Sequence, residues 1–317
     1  MTRVAVVGCG DISVVHLAAI AKLGVDLVGV CDPDPARAPG GYRDHREMLD
    51  AVRPDVVHIC TPHDQHVPVA LDALARGAHV LLEKPVAHTA EEAARLVAAA
   101  AAVPHLQAGV CLQNRYNASS EKALEIVTKS GTVRGGSATV MWHRSPAYYA
   151  DRPWRGNRER SGGGVLINQA IHTLDLLQWL LGDVTAVRSH TGRYGDFPGT
   201  DVEDTANVLL DHAGGARSVL FATVTNATDA PVTVEIGTDE ATLLIRDGLT
   251  ISYADGRTET VAERLPEAAG RAYWGASHEL LIADFYRCVT SGEPFPVSLA
   301  EGMKSLHLVD AIYRQNS

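Results

Sequence analysis

Val4-Ala5-Val6-Val7-Gly8-Cys9-Gly10-Asp11-Ile12-Ser13 is the stretch on which the reading of this chain turns. A short apolar run enters two glycines one residue apart, and a helical pattern over Ser13–Leu23 follows. That is strand, tight turn, helix. Glycine at positions 8 and 10 lets the backbone turn sharply and approach a pyrophosphate closely. The helix N-terminus behind it offers free N–H groups and the positive end of a dipole. The third small residue of such a loop is Ser13. Asp32 closes the second apolar run, 22 residues beyond Gly10, where a carboxylate takes the hydroxyls of an adenosine ribose. Gly8, Gly10, Asp11, Ile12 and Asp32 are therefore the expected dinucleotide contacts. Asp32 points to NAD, because a carboxylate repels a 2′-phosphate; Arg37 nearby leaves NADP open as a second cofactor. The bland alternative, a glycine turn that binds nothing, has the strand, the helix and the spaced carboxylate against it.

Outward from this loop the pattern repeats. Val4–Val7, Leu27–Val30, Val56–Cys60, His79–Leu82 and Leu106–Cys111 read as strands buried on both faces. Ser13–Leu23, His66–Arg76 and Ala90–Ala102 read as helices between them, with Gly24 and Gly77 placed as C-terminal caps. Repeated βα units predict a doubly wound parallel sheet over residues 1–113. The pattern then changes. A helix over Ser119–Lys129 and a strand over Ser137–His143 precede the glycine cluster Gly162-Gly163-Gly164, which opens a helix ending near Gly182. Ala206–Leu210, Ser218–Thr225, Thr233–Gly237, Thr242–Ile245 and Leu249–Tyr253 follow as strands broken by hairpin signals such as Asp247-Gly248. Helices near His278–Val289 and Leu299–Tyr313 close the chain. Residues 114–317 are thus expected to form a second α/β domain on a large, open, mainly antiparallel sheet.

Composition narrows the function. The 317 residues are 46% hydrophobic and 21% charged, enough to bury a core without disulfides or a structural metal. Twenty-eight basic against 38 acidic residues give a net charge of −10, which argues against nucleic acid or an anionic membrane as a partner. The longest bland run, Leu96 to Val103, is far short of the ~20 residues of a membrane span. Five cysteines without Cys-x-x-Cys spacing read as free thiols in a reducing cytoplasm.

Three further motifs bear on chemistry. Thr61-Pro62-His63 follows the third strand, with His66 opening the next helix. Glu83-Lys84-Pro85 follows the fourth strand, and Gln113-Asn114-Arg115-Tyr116 follows the fifth. Together with the glycine loop, the Gly162–Asp175 block and the segment from Gly275 to His278, they resemble the Gfo/Idh/MocA oxidoreductases, along almost the whole chain. That family includes glucose–fructose oxidoreductase and inositol dehydrogenases. The resemblance implies an NAD(P)-dependent enzyme that interconverts a secondary alcohol and a ketone on a sugar or cyclitol, as a homodimer or homotetramer. It implies that Thr61, Pro62, His63, His66, Glu83 and Lys84 lie at the cofactor, with Lys84 beside both the nicotinamide and the reacting hydroxyl. An ammonium there stabilises a developing alkoxide. It further implies a cis peptide before Pro85.

On the helix after the glycine cluster, Asn168, His172, Asp175 and Trp179 fall on one stripe at ~100° per residue, and Leu166, Ala170, Leu174, Leu177 and Leu181 fall opposite. The spacing predicts an apolar packing face and a polar stripe left for another use. The family resemblance assigns His172 as the base for oxidation. It normally has Asp where this chain has Asn168, and an amide positions a hydroxyl but does not exchange its proton near neutrality. Asp175 either orients the imidazole or is structural.

Arg115 and His278 match family positions at or near the substrate. Trp154 and Arg155, in a loop with Arg152, Arg158 and Arg160, are the expected contacts to a sugar ring or an anion, or else part of a subunit interface. His58, His63 and His66 lack ligand partners at convincing spacing, so no metal is expected. Two rival functions remain: glycoside cleavage through transient oxidation, and a non-catalytic NAD- or sugar-sensing relative.

Overall fold

The computed structural model describes residues 1–264 and 276–315. In chain order the elements are β1 (Arg3–Val7), α1 (Ser13–Leu23), β2 (Asp26–Cys31), α2 (His45–Val52), β3 (Val56–Ile59), α3 (His66–Leu74), β4 (His79–Glu83), α4 (Ala90–Ala101) and β5 (Ala108–Cys111). They continue with α5 (Ala118–Lys129), β6 (Val133–Met141), α6 (Pro146–Ala150), α7 (Arg158–Ser161), α8 (Ile171–Leu181), β7 (Val184–Gly192), β8 (Thr205–His212) and β9 (Arg217–Thr223). The last are β10 (Thr233–Thr238), β11 (Ala241–Ile245), β12 (Leu249–Tyr253), β13 (Thr258–Val261), α9 (Ser277–Ser291) and α10 (Leu299–Arg314).

The chain divides into two compact units, Met1–Gln113 with His278–Met303, and Asn114–Ser277 with Lys304–Ser317. The first unit is built on a five-stranded sheet of order β2-β1-β3-β4-β5, parallel throughout. Its strands are apolar on both faces because helices cover both; Val4, Val6, Val56, Val57, Val80 and Leu82 are fully buried. The strand order reverses between β1 and β3. The loops that leave these two strands flank the switch point, where α/β sheets bind ligands.

His278–Met303 departs from the expected boundary, which gave all of 114–317 to the second domain. This segment returns to the first unit because it completes that unit's core. Val110 N–H donates to Val297 O at 3.0 Å, lengthening the β5 edge. Helix α9 buries Leu281, Ile282 and Phe285. Gly275, the first residue of the corresponding motif, lies outside the described residues.

The second unit carries an eight-stranded sheet of order β13-β12-β11-β10-β6-β9-β8-β7. All neighbours are antiparallel except β6 and β9. Besides the short helices α6 and α7, three elements were not read from the residue pattern. β7 and β13 are edge strands with polar, exposed faces, so they lack apolar alternation. Helix α2 begins at Asp44, whose carboxylate accepts from Arg46 N–H at 2.7 Å, and Glu47 sits in its first turn. The spacing Asp44-x-x-Glu47 was the available signal.

Candidate active site

In the first unit the glycine loop has the geometry its sequence demands. Gly8 has φ 88°, and a Cβ there would lie 2.7 Å from the backbone carbonyl of Cys60. So Gly8 is required by the close approach of two loops. Gly10 has open space where its Cβ would project, which leaves the backbone approachable. Ser13 Oγ donates to Gly10 O at 2.6 Å and ties the turn to the first turn of α1. Asp32 is nearly buried; its carboxylate accepts from Cys9 N–H at 2.8 Å and from Asp34 N–H at 2.9 Å. It therefore braces the loop. The Thr61 hydroxyl, at the end of β3, is buried without a hydrogen-bond partner. An approachable glycine, a braced carboxylate and an orphaned hydroxyl around one switch point fit a dinucleotide.

His66 was expected at the cofactor. The structure buries it completely, with Nδ1 2.7 Å from Pro85 O and Nε2 3.0 Å from Thr61 O. It holds the two loops that leave β3 and β4 together, and burial pushes its pKa down despite both carbonyls. His63 is also buried, its ring 5.6 Å from that of His66. Pro62 stands between Thr61 and His63, and the Lys84–Pro85 peptide is cis as expected.

Glu83 is held inside the first unit as well. It is buried, and Oε1 lies 3.0 Å from His16 Nε2 and 3.3 Å from His278 Nε2. His278, the expected substrate neighbour, is buried in the first unit beside this carboxylate. Lys84 is different. Its neighbours Glu83 and Pro85 are buried, whereas Lys84 is part-exposed at the end of β4, on the edge from which the glycine loop and Thr61 also emerge.

Burial sets the acid sensitivity of this unit. Burial, then His16, pushes His58 well below the ordinary histidine value of 6.5, so the folded chain keeps it neutral. Burial would raise Glu83, but hydrogen bonds from His16 and His278 outweigh it and hold its pKa well below 4.5. Both folded values are depressed, so the unfolded chain binds more protons in acid. The stability contributed is present above the unfolded values and is lost as pH falls, first below about 6.5 and then below about 4.5. The urea midpoint is expected to fall between pH 7 and pH 5; an unchanged midpoint would show that these groups are not buried as described.

In the second unit a π-helical turn, Leu166–Ala170, precedes α8. The wider turn shifts the phase of Asn168, whose Nδ2 donates to Gly163 O and Gly164 O, both at 3.1 Å. From His172 onward the stripe holds, but it is buried rather than left free. His172, Thr173, Leu174, Asp175 and Leu176 are all buried. Asp175 accepts from Arg115 Nε at 2.8 Å and Nη2 at 2.7 Å, a bidentate pair, and the guanidinium lies 5.3 Å from the Trp179 ring centre. So Asp175 fixes Arg115.

The arginine loop does not form one anion cluster. Arg155 stacks over Tyr148 at 4.4 Å and over the part-buried Trp154 at 5.8 Å, while Arg158 stacks over Tyr313 at 4.3 Å.

The residue that sequence reasoning missed is Glu203. It is buried and accepts from Gly164 N–H at 2.9 Å, Leu166 N–H at 3.0 Å and Tyr313 Oη at 2.7 Å. Burial pushes its pKa up, opposed by those donors. It caps the helix that carries His172, and no local pattern links residue 203 to residue 164.

Comparison with known proteins bears on the family and the fold. Residues 2–108 match the oxidoreductase family with an NAD-binding Rossmann fold, and residues 124–244 match the GFO/IDH/MocA C-terminal domain. D-apiose dehydrogenase of Paraburkholderia graminis is 29% identical over 98% of this chain and 86% of its own. D-glucoside 3-dehydrogenase of Escherichia coli is 31% identical over 67% of this chain and 68% of its own. The WlbA dehydrogenase of Bordetella pertussis, solved with NADH and UDP-GlcNAcA, superposes with a TM-score of 0.85 at 28% identity, over 99% of this chain and 96% of its own. Both halves of this chain, each on its own sheet, are thus those of an NAD-binding oxidoreductase, and the chain belongs to the Gfo/Idh/MocA family.

Proposed function

We propose that this oxidoreductase acts on a secondary alcohol of a sugar or cyclitol, with NAD preferred over NADP. The observation that carries the reading is the switch-point loop braced by Asp32, with part-exposed Lys84 on the same sheet edge. NAD held at the glycine loop and Asp32 would supply the acceptor for the carbinol hydride; the chain's own groups do the rest. The Lys84 ammonium stabilises negative charge developing on the substrate oxygen. His172 takes the hydroxyl proton as general base and returns it in the reductive direction. Asn168, its amide nitrogen held by two backbone carbonyls, positions the substrate without exchanging a proton. Arg115, Trp154 and Arg155, all in the second unit, are proposed substrate contacts. Relatives named for apiose, glucosides and inositol support the substrate class.

Asp32 sets the cofactor preference. Its two oxygens already hold the loop, so a 2′-phosphate would meet a fixed negative charge. Arg37 does not offset this freely, since Asp34 lies 3.4 Å away. The test is reduction of NAD and NADP over a panel of inositols, pentoses, hexosides, uronates and nucleotide sugars. NADH formation on one class, at a kcat/KM at least about tenfold above NADP, is expected. NADP preferred, or no turnover in either direction with any member, would overturn the reading.

The reading extends to quaternary state and compartment. No described helix is long and apolar enough to cross a membrane. The five cysteines are free thiols, which suits the reducing cytoplasm. One face of the large sheet, around Thr139, Val219 and Phe221, is accessible, with Val219 47% exposed. A second copy covering it would give the expected homodimer or homotetramer, which sedimentation would register as a multiple of 33.8 kDa.

A further inference from the structure

Behind Lys84, the core of the first unit holds ionisable groups that the proposed chemistry does not use. His16 and His58 meet through their Nδ1 atoms at 2.7 Å. His58 Nε2 lies 2.7 Å from Tyr286 Oη, and His16 Nε2 lies 3.0 Å from Glu83 Oε1. His278 Nε2 reaches the same carboxylate oxygen at 3.3 Å, and Lys84 N–H donates to the other, Oε2, at 3.3 Å. His16, His58 and His278 are each at most 1% exposed. Five elements contribute: α1, β3, β4, β5 through Cys111, and α9. Cys60, just after β3, and His66, at the start of α3, are further titratable neighbours of Glu83.

Hydrogen-bond arithmetic orients the whole chain from one end. An ionised carboxylate only accepts, so His16 Nε2 and His278 Nε2 carry their protons. His16 Nδ1 is then the acceptor for His58 Nδ1–H. His58 Nε2 is left as an acceptor, and Tyr286 O–H donates to it. Every proton is used once, and each donor points toward Glu83. The reverse order would need a protonated Glu83. A protonated His16 would turn the His58–Tyr286 bond around and leave the phenol hydrogen without a partner. The cluster His16, Glu83 and Cys111 also has the spacing of a metal site, with ligand atoms within 4.8 Å of one another. The hydrogen bonds of His16 and Glu83 already use those atoms, so a metal would have to break the relay.

We propose that Glu83 is a positioning residue, held by the one-way relay Tyr286→His58→His16→Glu83 and by His278, and that it fixes the Lys84 peptide at the end of β4. This rests on the reading of Lys84 as the cation at the reacting oxygen. The relay accounts for the return of the chain to the first unit after residue 277, because α9 supplies both His278 and Tyr286. It also explains why Glu83, beside an accessible lysine, faces inward. Its carboxylate serves the lysine through the backbone N–H.

Two measurements test the proposal. In the intact protein, nitrogen–proton correlation spectra read the imidazole tautomers directly. His16 and His278 are expected as Nε2–H and His58 as Nδ1–H, with His58 neutral at pH 7. Any of the three as the other tautomer, or as imidazolium, overturns the relay. In steady-state kinetics, Glu83→Gln is expected to lower kcat by about ten- to a hundredfold, since small misplacements of a catalytic group cost that much, with the dissociation constant of NAD nearly unchanged. Tyr286→Phe, which keeps the ring, covers the case in which Glu83→Gln fails to fold. It is expected to lower kcat several-fold and to change the His58 tautomer signal. Wild-type kcat in either folded variant overturns the positioning role. Should Lys84→Ala retain full activity, the reading of Lys84 fails instead, and the tautomer result still stands or falls by itself.

Discussion

Lys84→Ala is expected to lower kcat for alcohol oxidation by about 10²–10⁴-fold while the affinity for NAD changes little. The physical reason is the charge that develops on the substrate oxygen as hydride leaves. An ammonium fixed nearby stabilises that charge more than it stabilises the neutral alcohol, so its loss appears in kcat rather than in binding. Lys84 is suited to this by its place. It follows a buried strand, its flanking residues are buried, and its amide is tied to Glu83. Lys84→Arg should recover only part of the rate, because a guanidinium keeps the charge but is larger, planar and unable to give up a proton near neutrality. NADH absorbance under saturating substrate, with circular dichroism as the folding control, reads both variants. A folded Lys84→Ala protein turning over at the wild-type rate would remove Lys84 from the chemistry.

Gly164→Ala is expected to destabilise the second unit by more than about 4 kcal/mol, enough to prevent recovery of folded protein or to lower its melting temperature sharply. A Cβ at this position would sit 1.8 Å from the backbone oxygen of Glu203. The obstacle is main chain, not the end of a flexible side chain. It belongs to the residue whose carboxylate also accepts from Gly164 N–H and Leu166 N–H. Relief therefore requires moving the cap away from the helix that carries His172, which leaves buried N–H groups without acceptors. A thermal melt decides it, and a Gly164→Ala protein with wild-type stability would mean that the loop and residue 203 are not packed as described. Gly10→Ala is the informative contrast. Open space surrounds that position, so the fold should tolerate the methyl group while NAD binding weakens.

These two sites also divide what was legible in the sequence from what was not. The glycine loop could be read because its signal is local. Strand, turn, helix and a carboxylate 22 residues on are all fixed by short-range geometry. The same is true of the βα alternation and of the hairpin signals in the second half. Pairwise burial was not legible. His66, Glu83 and His278 carry the residue types of a cofactor or substrate site, and the sequence does not show that each is buried and hydrogen-bonded. Only the fold shows that the acceptor opposite His66 is a backbone carbonyl, or that Glu83 faces His16 from 67 positions earlier.

By itself, then, the sequence determined the two sheet types, the cofactor loop with its carboxylate, and the residue types that offer a base and a cation. Periods of 2 and 3.6 and the demands of glycine turns are properties of neighbouring residues. The tertiary structure decided which polar residues remain accessible and which are consumed inside. It assigned Asp175 to Arg115, Asn168 to the glycine carbonyls, and Glu203 to the start of the helix bearing His172. It also returned His278–Met303 to the first unit. A buried polar atom must find its partner wherever the fold brings one, and a pairing across 39 or 195 positions leaves no trace in local pattern.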